Sequence, residues 1–203
     1  MFQNTIIEIG GYDGNDTLRY SNLSNTFVYC FEADIDMFKL LKTKFKNKTN
    51  VKVINKAVGI YDGVIPFYIA ENKMSSSINK LSDYSIQNNV TKFVNVIQVE
   101  SIRLDTFIQK NNITNIQYLH CDAQGSDFNI LKSLGDKISI IHNGQVEGSR
   151  NNDLYDSDNH YTSIIEYLEN NNFIILNKEE IEKRSNWLDL NIFFRNKKTQ
   201  SIL

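Results

Sequence analysis

Extended and helical patterns alternate through the first two thirds of this 203-residue chain, and that alternation admits few folds. A strand that feeds a helix and returns parallel to itself builds an α/β sheet with helices on both faces. Strand patterns lie at Thr5–Gly10, Thr26–Glu32, Val51–Asn55, Ile116–Asp122, Ile138–Val146, Phe173–Asn177 and Leu190–Arg195. Helical patterns, with apolar residues returning every three or four positions, lie at Asn15–Leu23, Asp34–Phe45, Leu104–Asn111, Ser126–Leu134 and Tyr161–Asn171. Ile6–Ile9, Phe27–Phe31 and Ile138–Ile141 are nearly continuous apolar runs, as strands buried on both faces require. The middle differs: Gly63–Ile69 and Phe93–Val99 read as extended segments around Met74-Ser75-Ser76-Ser77, an insertion forming a small hairpin or lid.

No repeat and no linker rich in Gly, Pro or Ser divides the chain, so one domain over residues 1–203 is expected. Its first core strand begins almost at Met1, which suits a module cut from a larger polypeptide.

A net charge of −2 and a pI near 5.9 supply no general positive field, so nucleic acid is not expected as a partner. Lys39, Lys42, Lys44, Lys46 and Lys48 share a predicted helix and read as its solvated face. Cys30 and Cys121 each sit in an apolar strand pattern, where a free cysteine behaves as a small hydrophobe, and no disulfide framework is indicated. No apolar run approaches the roughly 20 residues needed to span a bilayer, and a cytoplasmic setting is expected.

The chemistry concentrates at strand ends. Glu8, Gly10 and Gly14 put a glycine-rich turn between the first strand and a helix, where backbone amides can receive a polar ligand. The dinucleotide fingerprint needs glycine at its first, third and sixth positions; counted from Gly10 these hold Gly10, Tyr12 and Asn15, so a nicotinamide-dependent oxidoreductase is disfavoured. Acidic-x-Gly-x-x-x-Gly fits instead, the first motif of methyltransferases that bind S-adenosylmethionine. The turn Glu8, Gly10, Gly11, Tyr12, Asp13 and Gly14 is therefore the candidate cofactor loop, with the Glu8 carboxylate facing the ligand's ammonium group.

Glu32 closes the next strand, at the distance of about 20 residues where an acid hydrogen-bonds a ribose diol in such folds. The weaker reading is a helix N-cap neighbour or surface acid before Asp34. Ala33, Lys56, Ala57 and Val58, ahead of Gly59, are small or flexible enough to let an adenine ring lie against backbone, or form an ordinary turn. Asp122 ends the fourth strand and faces the cleft outside the carboxyl ends of the sheet; Glu147 ends the fifth. His120 shares a strand face with Asp122 by the period of two, and is either a catalytic neighbour or a packed core residue.

With these segments in order, the chain resembles the FkbM family of S-adenosylmethionine-dependent methyltransferases. The match runs through Ile7–Gly14, Val28–Ala33, Ala57–Gly59, Ser75–Ser77, Arg103–Phe107 and Leu119–Phe128. The resemblance implies a class I, doubly wound Rossmann-like α/β fold, with a seven-stranded, mostly parallel sheet whose last strand is antiparallel. It also implies S-adenosyl-L-methionine as cofactor, methyl transfer to oxygen, and often a sugar or natural-product hydroxyl as acceptor; a carbohydrate or glycoconjugate acceptor is expected here, and the module reading adds fusion to other glycan-processing domains. Two departures stand out. Glu8-Ile9-Gly10-Gly11-Tyr12 replaces the usual Asp-Val-Gly-Ala-Asn, and Gln124 stands where an acid is usual.

Methyl transfer from a sulfonium aligns donor and acceptor and removes the proton of a weakly acidic hydroxyl. Asp122 is the first candidate base, then Glu147, then His120. Ser76, Ser77, Gln124, Arg150 and His160 are candidate acceptor contacts, the last two flanking the loop after the fifth strand. A divalent cation such as magnesium could be held by Asp122 and Glu147 with the loop acids Asp153, Asp156 and Asp158, which otherwise form a solvated acidic loop. A catalytically inactive module that binds cofactor or glycan is the alternative from another class.

Overall fold

The computed structural model describes residues 2–150, 154–182 and 188–199. Chain order is β1 (Asn4–Ile9), α1 (Asn15–Ser21), β2 (Thr26–Phe31), α2 (Ile35–Lys44), β3 (Val51–Ile54), β4 (Ala57–Val58), β5 (Gly63–Ala70), α3 (Asp83–Gln87), β6 (Phe93–Ile102) and α4 (Leu104–Lys110). It continues with β7 (Ile116–Cys121), α5 (Asp127–Ser133), β8 (Ile141–Ser149), α6 (Tyr161–Asn170), β9 (Phe173–Glu182) and β10 (Leu188–Asn196). Seven strands form one sheet in the order β3-β2-β1-β7-β8-β10-β9. The first five pair in parallel, and β10 runs antiparallel between β8 and β9. This is the mostly parallel sheet with an antiparallel last strand that the alternating pattern and the resemblance imply.

Alternation fails at one boundary. Residues Gly135–Ile140 form a 3-10 helix where the strand pattern Ile138–Val146 begins, so β8 starts only at Ile141. Gly135, at φ +48°, turns the chain, and the Ser139 hydroxyl donates to the Asp136 carbonyl. Ile138 is buried all the same. An apolar residue needs burial, and a helical turn delivered it here as readily as a strand.

One main core lies on the α4–α5–α6 face. Phe31, Phe107, Leu119, Ile130, Ile141, Leu168, Phe173 and Phe194 pack together in it. Phe107 meets Phe31 edge-on with ring centres 4.8 Å apart, and Phe173 meets Phe194 the same way at 5.2 Å, geometries that suit aromatic quadrupoles. The α1–α2 face carries two smaller clusters, Ile6–Tyr20–Val28 and Cys30–Leu41–Phe45. Cys30 and Cys121 are free and buried.

The middle insertion is a three-stranded sheet in the order β4-β6-β5. β5 and β6 make the expected hairpin, and β4, read from sequence as a turn or an adenine rest, adds a short parallel strand to it. The segment joining β5 to β6 carries α3, whose Ser85 hydroxyl donates to the Leu154 carbonyl. No helix among the described residues is long and apolar enough to cross a membrane.

Sheet order sets the place of a site. The chain leaves β1 toward β2 and β3, then returns to add β7 on the other side, so strand order reverses between β1 and β7. The carboxyl ends of those two strands form the crevice where open α/β sheets receive ligands.

Candidate active site

A cavity of about 1130 Å³ opens at that crevice, bounded by the turn after β1, the end of β2, β4, the segment after β5, and the ends of β7 and β8. The turn is built by close backbone approach. Gly10 has φ +88°, and a Cβ there would sit 2.0 Å from the Asp122 carbonyl oxygen. Both the Gly10 and Gly11 amides donate to the Phe31 carbonyl at 3.1 Å, and the Asp122 amide donates to Ile9 at 3.0 Å. The first turn is thus knitted to β2 on one side and β7 on the other. Tyr12 holds a left-handed φ of +42°. Gly14, at φ +74°, starts α1, which has seven residues, so the turn's shape rather than a long helix dipole is what it offers a ligand.

Glu32 joins the two ends. Its Oε2 accepts the Tyr12 amide and its Oε1 the Asp34 amide, both at 2.8 Å. Each oxygen keeps a second lone pair, and the side chain is on the cavity wall. Burial pushes its carboxyl above the usual range, against the two amides that favour the charged form. Asp34, not Glu32, caps α2, accepting from Asp36 and Met37.

Across the cavity the turn after β7 gathers the second group. Gln124, at φ +48°, points its Nε2 at Asp122 Oδ1 (2.6 Å) and Glu147 Oε2 (3.4 Å), bridging two carboxylates with one amide group. Tyr155, buried, donates its hydroxyl to the Ser75 carbonyl at 2.9 Å and lies 3.1 Å from Gln124 Oε1. Ser77 donates to the Gln124 carbonyl at 2.7 Å. Gly125 is needed beside Tyr155, whose ring would lie 2.7 Å from a Cβ there.

Beneath this turn, Asp127 is fully buried and accepts the amides of Ala123 (3.3 Å) and Glu147 (3.1 Å), so one carboxyl ties the end of β7 to the end of β8. Burial, with Asp122 nearby, pushes its carboxyl up to about 7. The sequence shows Asp127 only as an acid at a helix start; its link to β8 is a contact across 20 residues.

Of the cofactor-loop residues, Gly10 and Tyr12 line the cavity, together with Glu32, Ala33, Lys56, Ala57, Val58 and Asp122. Gly11, Asp13 and Gly14 lie outside its wall and shape the turn. Glu8 is also off the wall: its side chain is buried under the turn, accepts the Thr17 hydroxyl, and has its carboxyl pushed up to about 8 by burial. Lys56 reaches the wall while paired with Glu100.

His120, Gln124, Glu147 and Ser76 line the cavity, whereas Ser77 sits behind Gln124. The structure does not bring Arg150 and His160 there. His160 caps α6 and directs its Nε2 to the Arg150 carbonyl at 2.6 Å, while the Arg150 guanidinium reaches Glu180 at 3.9 Å. Asp156 and Asp158 are exposed, Asp158 facing Lys132 at 3.9 Å, and Asp153 lies outside the described residues. Asp16, Lys73, Lys92, Gln145 and Asn191 also line the cavity, and only the folded chain shows it. Among the described residues, the grouping of three that could hold a metal ion is Glu8, Asp16 and His120, not Asp122 with Glu147.

The sequence model of the FkbM methyltransferase domain matches residues 8–175. The chain belongs to the FkbM methyltransferase domain family. The match begins at Glu8 and includes every segment of the cavity wall up to β9. No curated protein sequence matches the chain. Solved structures similar in fold include TrmK of M. capricolum in complex with S-adenosyl-homocysteine, at 13% identity and TM-score 0.53, covering 96% of this chain and 62% of that one. An rRNA methylase from Streptococcus thermophilus matches at 11% identity and TM-score 0.53, covering 96% and 87%. The N-terminal domain of EvdMO1, in the presence of S-adenosyl-homocysteine and D-fucose, matches at 12% identity and TM-score 0.51, covering 96% and 76%. The chain thus spans less than two thirds of the TrmK structure. At such identities the likeness is one of fold.

Proposed function

We propose that this FkbM domain is an S-adenosylmethionine-dependent O-methyltransferase acting on a hydroxyl of a sugar or glycan. The observation that carries it is Glu32, held by the Tyr12 and Asp34 amides on one wall of a cavity whose opposite wall is Asp122. The residues fit the cofactor. Gly10 lines the cavity, Glu32 has lone pairs left for a diol, and Ala57 and Val58 offer a small apolar surface near Phe31 and Met37. Asp16, Glu32, Asp34, Asp122 and Glu147 give that cavity acids suited to a cationic ligand, and Lys73 is engaged with Asp34 and Asp36.

When bound, the cofactor supplies an electrophilic methyl group on a positive sulfur. Asp122 Oδ would take the proton of the acceptor hydroxyl, leaving that oxygen to accept the methyl group as its bond to the cofactor's sulfur breaks and the neutral thioether leaves. Gln124 holds Asp122 and Glu147 in place by donating to both.

A carbohydrate acceptor is supported by the size of the cavity, about 1130 Å³ and so just above single-ligand pockets of about 300–1,000 Å³, and by its polar lining of Lys92, Gln145 and Asn191. The EvdMO1 domain, studied with D-fucose, adds support, and the absence of a net positive charge argues against RNA.

Titration calorimetry with S-adenosylhomocysteine and with NAD, followed by a radiolabelled methyl-transfer screen over sugars and small glycans, tests the reading. Heat with the former and labelled glycan are expected. Binding without turnover would favour the inactive module, and heat with NAD alone would overturn the assignment. Turnover unchanged by a chelator would remove the expectation of magnesium at Asp122 and Glu147.

A further inference from the structure

Three polar side chains, Glu8, Asp16 and His120, meet under the turn after β1, and of these the methyl-transfer reading uses only Asp16, as one of the cavity's acids. Glu8 and His120 are paired across β1 and β7 in the sheet register, so their side chains leave the same face side by side. Asp16, in the first turn of α1, descends over them. One carboxylate oxygen from each acid and one ring nitrogen of His120 lie within 4.8 Å of one another.

His120 is the independent observation. It is 6% exposed, its Nδ1 is buried without a hydrogen-bond partner, and the ring edge packs against Tyr20 with centres 5.8 Å apart. A buried imidazole nitrogen without a partner is rare in folded proteins, where buried polar atoms are satisfied by protein, water or an ion. Glu8, at 1% exposure, has Thr17 as the hydroxyl donor to one oxygen. That is the arrangement of an outer partner orienting a ligating carboxylate. Asp16 pairs its Oδ1 with Arg19 at 2.7 Å on the half-exposed surface, which leaves its other oxygen available.

We propose that Glu8, Asp16 and His120 bind one divalent transition-metal ion of the manganese-to-zinc class, with its open coordination positions facing the cavity. Two carboxylates and an imidazole are a mixed oxygen and nitrogen set, which suits those ions better than magnesium or calcium, whose ligands are oxygens. Three protein ligands with a fourth position open is the pattern of sites that take an exogenous oxygen. Asp16 and His120 both belong to the cavity wall, so an oxygen of a small molecule in the cavity can complete the shell. Ligand bonds of about 2.1 Å set the three atoms roughly 3–3.5 Å apart, inside the 4.8 Å that bounds their spacing. Asp16, with its partly exposed side chain on a short first turn, is the group free to move.

This site does not rest on the methyl-transfer reading. The test uses the full chain, stripped with chelator and dialysed, and titrated with Mn²⁺ under electron paramagnetic resonance. One ion per chain is expected, with affinity falling at least tenfold in Asp16→Asn and in His120→Gln and unchanged in the exposed control Asp36→Asn. Asp16→Asn replaces a partly exposed residue, and circular dichroism confirms that each variant is folded. No bound ion in the parent chain, or affinity equal to the parent's in folded Asp16→Asn and His120→Gln, overturns the site. S-adenosylhomocysteine calorimetry in the presence of chelator separates this failure from failure of the cofactor reading.

Discussion

Tyr12 donates its backbone amide to Glu32 Oε2 at 2.8 Å, so a single carboxylate spans the turn after β1 and the end of β2. The same carboxylate takes the Asp34 amide at the start of α2. Glu32 therefore has a structural duty beside the binding duty proposed for it, and its variants should show both.

In Glu32→Ala, S-adenosylhomocysteine affinity is expected to fall by about 1–3 kcal/mol, roughly 5- to 150-fold, from lost charge-assisted hydrogen bonds. Calorimetry measures the affinity and a thermal melt the fold. Unchanged affinity in a folded variant would refute the ribose assignment.

Gly10→Ala places a methyl 2.0 Å from the Asp122 carbonyl at a φ of +88°. Steric overlap and left-handed strain together should cost about 2–4 kcal/mol of stability, read from denaturant midpoints. Because the turn must separate from β7, cofactor affinity should fall as well.

Asp122→Asn keeps the shape of the turn after β7 but removes the proposed base. Turnover is expected to drop by about 10²–10⁴, the ordinary contribution of general-base catalysis, with S-adenosylhomocysteine affinity mostly kept. Normal turnover would move the base to Glu147.

The carboxyl of Asp127 is held near pH 7 in the fold, against 3.8 when exposed. A raised acid carries a proton in the folded chain that the unfolded chain has released. Stability is therefore greatest below about pH 4 as far as this group goes, and declines as pH rises through 7, by up to about 1.4 kcal/mol per pH unit within the window. Denaturation midpoints of the parent chain and Asp127→Asn between pH 4.5 and 7.5 measure it. The decline should be shallower in the variant, and parallel curves would refute the burial of that proton.

Much of the fold was legible because its signals are local. Continuous apolar runs mark strands covered on both faces, and a period of three to four marks the helices against them. Gly10 and Gly14 were readable as a turn because a left-handed backbone favours glycine, and both hold positive φ. Ile138 shows the limit: a burial pattern is shared by a strand and a 3-10 turn, and the turn formed.

The sequence by itself determined the alternation, the family motifs and the acids at strand ends, all set by neighbours along the chain. Tertiary structure alone decided their duties. It set His160 to cap α6 with its ring against the Arg150 carbonyl, placed Gln124 between Asp122 and Glu147, and buried Asp127 between two strand ends. It also turned Glu8 away from the cavity to meet Asp16 and His120. The physical reason is that hydrogen bonding and desolvation act through space, over about 3 Å, while residues such as Glu8 and His120 are separated by more than half the chain until β1 and β7 pair.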